Sequence, residues 1–124
     1  EGSTFGGYPL ASVVGVYAIK VLIDENLADK AKLKGSRLIK NMESIQSEFP
    51  DKIKEVRGKG LLTAFEMFNN KHLDGHAVSV GLLNMGVYAK ETHKTTVRIA
   101  PALTISNEQI DLISTSIRSV IKGL

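Results

Sequence analysis

The sequence predicts an α+β domain, a small and mostly antiparallel sheet with helices packed on one side. Three observations predict it. Apolar residues recur at helical spacing in separate stretches. Short β-type runs punctuated by glycine lie between them, and the resulting order is helix, helix, strands, helix, strands, helix. A chain of 124 residues with 43% apolar and 23% charged residues has ordinary globular composition and suits one hydrophobic core.

The first helix is predicted from Pro9, which follows a glycine-rich loop and suits a first helical turn. Leu10, Val13, Val14, Tyr17, Ala18, Val21 and Leu22 form one apolar face, and Ala11, Val16 and Ile19 make the other side apolar as well. A helix apolar nearly all round is buried nearly all round, which implies a partner surface beyond this small domain. A second helix is expected from about Asn26 to Glu48. Leu27, Ala31, Leu38, Met42, Ile45 and Phe49 form its stripe, and Phe49-Pro50-Asp51 ends it. Gly35 inside it costs roughly 1 kcal/mol relative to alanine, which suits a place of close packing.

Strands are expected at 53–57 and 61–68, joined by the turn Arg57-Gly58-Lys59-Gly60. The second carries apolar groups for both faces, as a central strand does. After the loop Asn69-Asn70-Lys71, a helix is expected from about His76 to Met85, closed by Gly86. Val87-Tyr88-Ala89 and 96–100 read as short strands joined by a polar hairpin-like loop. Ser106, with Gln109 three residues on, forms a capping box for a last helix. Ile110, Ile113, Ile117 and Val120 are its predicted core face, and it ends near Gly123.

Composition excludes several function classes. There is no cysteine, so disulfide frameworks, thiolate zinc sites and cysteine nucleophiles are ruled out. The formal charge is +3, and nine of the 16 basic residues fall between Lys30 and Lys59, against four acids. No tryptophan is present and no aromatic residues interleave those lysines, so the stripe reads as a solvated helix face and no nucleic-acid partner is expected. The longest apolar stretch, 9–23, is broken by Ser12, Gly15 and Lys20 and falls short of the roughly 20 residues of a membrane span. It also lacks the leader of a signal peptide. The expected setting is cytoplasmic, with no membrane partner. The opening Glu1-Gly2-Ser3-Thr4-Phe5-Gly6-Gly7 has no methionine and reads as the interior of a longer chain.

A few groups invite chemistry. In Gly2 to Gly7, glycines let backbone N–H groups converge, Ser3 and Thr4 add hydroxyls, and a helix N-terminus follows. That is an anion site suited to phosphate, or else a loop that caps a helix. It matches neither the P-loop nor the dinucleotide fingerprint. Arg57-Gly58-Lys59-Gly60 could hold an anion but reads first as a tight turn. Arg98 lies in the otherwise apolar run Thr96-Val97-Arg98-Ile99-Ala100-Pro101. It either grips a carboxylate bidentately, sits on an exposed face, or pairs with an acid such as Glu66. His72 and His76 lack the companions of a zinc site, and no metal is expected. No Ser-His-Asp arrangement or glycosidase-type carboxylate pair is supported.

Three motifs occur in register over about a hundred residues. They are Gly2-Ser3-Thr4-Phe5-Gly6-Gly7-x-Pro9-Leu10, Val56-Arg57-Gly58-Lys59-Gly60-Leu61-Leu62 and Val97-Arg98-Ile99-Ala100-Pro101-x-Leu103. Together they make the whole sequence resemble the C-terminal part of a class III pyridoxal-phosphate-dependent aminotransferase. Glu25-Asn26-Leu27-Ala28 and the Gly86-to-Lys90 run followed by Thr92-His93 resemble the ornithine aminotransferase branch. Tyr8 and Glu1 depart from the pattern, where asparagine and a nearby histidine are usual.

The resemblance implies the C-terminal domain of a fold-type I transferase, with 1–24 as phosphate loop and long connecting helix and 25–124 as the small α+β domain. It implies that Ser3 and Thr4 reach the phosphate of pyridoxal phosphate bound by the other subunit of a homodimer. It implies that Arg98 holds the substrate's α-carboxylate, and that the parent enzyme moves the δ-amino group of ornithine to 2-oxoglutarate. By the same resemblance, the lysine that carries the cofactor, the acid on its ring nitrogen, the stacking aromatic and the acid that can gate the substrate arginine belong to a preceding segment. No catalytic residue is therefore expected in this chain, which alone should be inactive and free of cofactor. The alternatives are acetylornithine or 4-aminobutyrate aminotransferase, or a freestanding α+β regulatory or interaction module.

Overall fold

The computed structural model describes residues 27–68 and 73–124. The helix predicted from Pro9, the glycine-rich loop, the loop at 69–71 and His72 lie outside the described residues. Among the described residues, three helices, α1 (Leu27–Glu48), α2 (Gly75–Asn84) and α3 (Asn107–Gly123), accompany four strands. These are β1 (Ile53–Lys59), β2 (Leu62–Met67), β3 (Lys90–Thr92) and β4 (Thr96–Ile99). The strands form one antiparallel sheet in the order β1-β2-β4-β3. This is the α+β architecture expected.

Helix α1 places its predicted stripe inward: Leu38, Met42 and Ile45 are all buried. Gly35 is where the helix meets the β1–β2 turn. A Cβ at that position would lie 1.7 Å from the Gly60 carbonyl oxygen, so no other residue fits without moving backbone. After α1, the Phe49 carbonyl accepts from the amides of Lys52 and Ile53, and this turn feeds β1.

Strand β1 continues to Lys59, so Arg57, Gly58 and Lys59 are strand residues rather than turn residues. The reversal needs little chain because Gly60 takes a left-handed φ of 58°. Strand β2 lies inside the sheet, as expected. Thr63, Phe65 and Met67 are buried while Leu62, Ala64 and Glu66 face the less covered side, which corrects the expectation of apolar burial on both faces. An antiparallel sheet needs only one buried face.

The predicted strand at 87–89 forms three residues later, at Lys90–Thr92. The end of α2 explains the shift. The amides of Met85 and Val87 both donate to Leu82 O, and that of Gly86, at φ 84°, donates to Leu83 O. Val87 N–H is thereby committed to the helix end, and cross-strand pairing starts only at Lys90. The turn between β3 and β4 holds His93 and Lys94 at φ 54° and 66°, and its Lys94 carbonyl accepts from Gly75 N–H at the start of α2. Asp74 completes that N-terminus by accepting from Ala77 N–H at 2.8 Å.

Helix α3 has the predicted capping box. Gln109 N–H donates to Ser106 Oγ at 3.1 Å, and Ser106 N–H donates to Gln109 Oε1 at 2.9 Å. Ile110, Ile117 and Ile121 are fully buried, with Ile113 and Val120 at the margin. Polar contacts tie α1 to α3. Arg37 grips Asp111 with bonds of 3.0 and 2.7 Å, Asn41 donates to both Asp111 and Ser114, and Arg118 pairs with Glu48. The Arg37 hydrogen bonds, helped by Asn41, hold the Asp111 carboxyl below the usual carboxylate range; Arg118 does the same for Glu48. No helix among the described residues is long and apolar enough to cross a membrane.

Candidate functional site

The two faces of the sheet differ in kind. On β4, Val97 and Ile99 are buried in the core, and side chains alternate along a strand, so Arg98 stands on the opposite face. That is why an arginine can sit in an apolar run: its neighbours are core residues and it is not. Thr63 Oγ1 donates to Ile99 O at 2.6 Å across the β2–β4 pair.

Register sets what surrounds Arg98. Arg57, Ala64, Arg98 and Lys90 form one row across β1, β2, β4 and β3. Glu55, Glu66, Thr96 and Thr92 form the next row on the same face. Arg98 is half-buried, on a strand bonded to neighbours on both sides, with only a methyl group opposite it on β2. Backbone pairing on both flanks fixes where the guanidinium starts, and a planar fork with fixed geometry suits a carboxylate held by two parallel bonds. Leu62, exposed beside Ala64 on β2, gives the face an apolar margin.

Glu66, the acid the sequence offered to Arg98, pairs with Arg57. Arg57 Nη1 lies 3.4 Å from Glu66 Oε1 and 3.6 Å from Glu55 Oε1. Sequence reasoning placed Arg57 where the first strand meets a turn that could hold an anion, and did not pair it with Glu66. The signal that could have found it is the alternation of Val56, which packs against the core, with Arg57 beside it.

Ser3 and Thr4 lie outside the described residues, so the structure does not place them relative to Arg98. His76, one of the histidines weighed as a metal ligand, sits 3.0 Å from Glu91. Among the described residues no group of three or more His, Cys, Asp or Glu side chains gathers for a metal ion. A cleft of about 400 Å³ lies between the end of α2 and α3, lined by Met85, Val87, Ile105, Leu112 and Ile113 among others. Among the described residues no ionisable side chain lines it.

Comparison with known proteins identifies the family. The sequence matches the family described as Aminotransferase class-III over residues 1–121. It is similar to the mitochondrial ornithine aminotransferase of Oryza sativa subsp. japonica, 40% identical over 124 residues, covering 98% of this chain and 26% of that protein. Among solved structures it is similar to the ornithine aminotransferase from Toxoplasma gondii ME49, at 36% identity and a TM-score of 0.79, covering 99% of this chain and 29% of that one. It is equally similar to the acetylornithine aminotransferase from Elizabethkingia anophelis, at 36% identity and a TM-score of 0.78, covering 100% of this chain and 31% of that one. The chain thus spans between a quarter and a third of the length of these proteins. With the family match running over nearly its whole length and its fold shared with solved members, the chain belongs to the class III aminotransferase family.

Proposed function

We propose that this chain is the C-terminal domain of a pyridoxal-phosphate-dependent transaminase that moves the δ-amino group of ornithine to 2-oxoglutarate, giving glutamate semialdehyde and glutamate. The observation that carries the reading is Arg98, a half-buried guanidinium on an interior strand, facing away from the core. Its role is to hold a substrate carboxylate. The likeness to ornithine aminotransferases supports the choice of amino donor. The structural likeness to an acetylornithine aminotransferase, of the same quality, supports acetylornithine as the second reading.

Pyridoxal phosphate, when bound, supplies the electron sink that lets an amino group pass between carbon skeletons. The reading gives that phosphate to Ser3 and Thr4, whose hydroxyls are donors of the kind a phosphate accepts from, across a homodimer. Arg98 binds the carboxylate end of the amino acid and turns its distal amine toward the cofactor, so its contribution is positional. Ala64 leaves room beside it, and the stiff sheet keeps it in place. The reading divides the chain into 1–24, the phosphate loop and connecting helix, and 25–124, the small domain. It assigns no catalytic residue to this chain, which alone is inactive, and it keeps a cytoplasmic setting.

The test is Arg98→Lys in the full-length protein. A point charge cannot copy the bidentate fork, so KM for the amino acid rises about tenfold or more, the scale of one charge-assisted hydrogen bond. Unchanged KM and kcat would remove Arg98 from the site. Assaying ornithine beside acetylornithine separates the two readings.

A further inference from the structure

Asp74 and Gly75 form the sole Asp-Gly pair in the sequence, and Asn-Gly does not occur. Aspartate followed by glycine is chemically labile, because glycine leaves the next amide nitrogen unshielded by a side chain. That nitrogen can attack the aspartyl carboxyl carbon, and the fold decides whether it does.

Two separate demands place the pair at the start of α2. The N-cap position needs a short side-chain acceptor, and Asp74 supplies it to Ala77 N–H at 2.8 Å. The next position has no room for a side chain. A Cβ on Gly75 would stand 2.8 Å from the Lys94 carbonyl oxygen and 3.1 Å from Glu91 Cβ. The labile pair is thus the joint result of a cap and a close approach.

Three features of the folded chain oppose the reaction. Ala77 N–H holds the Asp74 carboxylate. The Asp74 ψ of 171° keeps the Gly75 nitrogen out of the plane that a five-membered ring needs. The Gly75 N–H, whose proton must leave, donates to Lys94 O. This last tie ends on a turn that holds its shape at a cost, since His93 and Lys94 sit at left-handed φ of 54° and 66° without being glycine. The exposed pair of His76 with Glu91, 3.0 Å apart, adds little to it.

We propose that Asp74–Gly75 is a latent modification site, a peptide bond that isomerises when the N-terminus of α2 lifts from the β3–β4 turn, without unfolding of the whole domain. The Gly75 nitrogen loses its proton and bonds to Asp74 Cγ, a Cγ–O bond breaks, and one water leaves to give a succinimide. Water then adds to the ring carbonyl that was the main-chain carbonyl of Asp74, and its bond to nitrogen breaks. The main chain now runs through Cβ and Cγ, with no net change of mass. The added main-chain carbon displaces the carboxylate from Ala77 N–H, so the cap is not remade and the opening becomes permanent.

The test incubates the 124-residue chain at neutral pH and maps it with an endoproteinase that cuts before aspartate but not before isoaspartate. The parent converts at Asp74 at least about tenfold faster in urea than folded, as a site that reacts only when open must. Ala77→Pro removes the amide that holds the carboxylate, in a first helical turn that tolerates proline. It raises the folded rate at least about threefold, the scale of a lost cap, and leaves the rate in urea unchanged. If Ala77→Pro does not fold, Lys94→Gly carries the arm: glycine relaxes the left-handed turn, so the folded rate falls about threefold. Ser106→Ala uncaps α3 instead and leaves the folded rate as in the parent. Equal acceleration by Ser106→Ala and Ala77→Pro assigns the reaction to global unfolding and overturns the local route. Equal rates folded and in urea, no conversion in urea, or an unchanged folded rate in the variant that carries the arm overturn the site.

Discussion

Gly35→Ala is a substitution whose sign is decided by one contact. In an exposed helix interior, replacing glycine by alanine stabilises by about 1 kcal/mol. At Gly35 the new Cβ would stand 1.7 Å from the Gly60 carbonyl oxygen and 2.3 Å from its carbon. A comfortable Cβ contact is about 3.5 Å. Either α1 or the β1–β2 turn therefore has to retreat by well over an ångström, and Leu38 and Met42, fully buried on the same helix, move with it. Overpacking a close-packed core costs roughly 1–3 kcal/mol, and this displacement is of backbone rather than of a side-chain tip. With a backbone displacement at the upper end of that range, the net effect is a loss of about 2 kcal/mol once the helix-propensity gain is subtracted. Urea unfolding of the 124-residue chain followed by circular dichroism measures it, with the exposed Ser36→Ala as the propensity control. A Gly35→Ala chain as stable as the parent, or more so, would refute the close approach of α1 to the turn.

Three further outcomes follow from the same geometry. Ser106→Ala removes the hydroxyl that accepts from Gln109 N–H and costs about 1 kcal/mol, read from the same urea curves. Glu48 and Asp111 are held below their ordinary carboxyl pKa by Arg118 and Arg37, so their stabilisation is complete above the unfolded value of about 4 and is lost as pH falls through the lowered folded value. Thermal midpoints taken between pH 6 and pH 2 therefore drop toward acid, and Glu48→Gln flattens that drop; an equally steep drop in Glu48→Gln would contradict the pairing. Phe65→Ala, at a fully buried position on an interior strand, costs about 3–5 kcal/mol and should leave the chain largely unfolded at ambient temperature.

The features written locally were legible in the sequence. The stripe through Leu38, Met42 and Ile45 and the Ser106–Gln109 box specify α1 and α3 because each depends only on residues within a few turns. Arg98 stood out because a charge in an apolar strand is costly unless its face differs from that of its neighbours, and the sheet shows that it does. What was not legible depends on distant partners. Val87 N–H could pair with a strand or close a helix, and only the folded end of α2 decides the matter. Gly58 and Lys59 look like turn residues until β2 pairs with them. Arg57 meets Glu66, and Arg37 meets Asp111 across 74 positions, through register and helix packing that no local pattern encodes. The segment with Ser3 and Thr4 falls outside the described residues, so its expected role stays with the proposal.

The central claim is that Arg98 holds a substrate carboxylate, and single-turnover kinetics of the full-length protein tests it most directly. The absorbance change on mixing with ornithine is followed against concentration for the parent and for Arg98→Lys. The account predicts a half-saturating concentration at least about tenfold higher in Arg98→Lys, as expected for the loss of one charge-assisted bond. Matching saturation curves for the two proteins would contradict it.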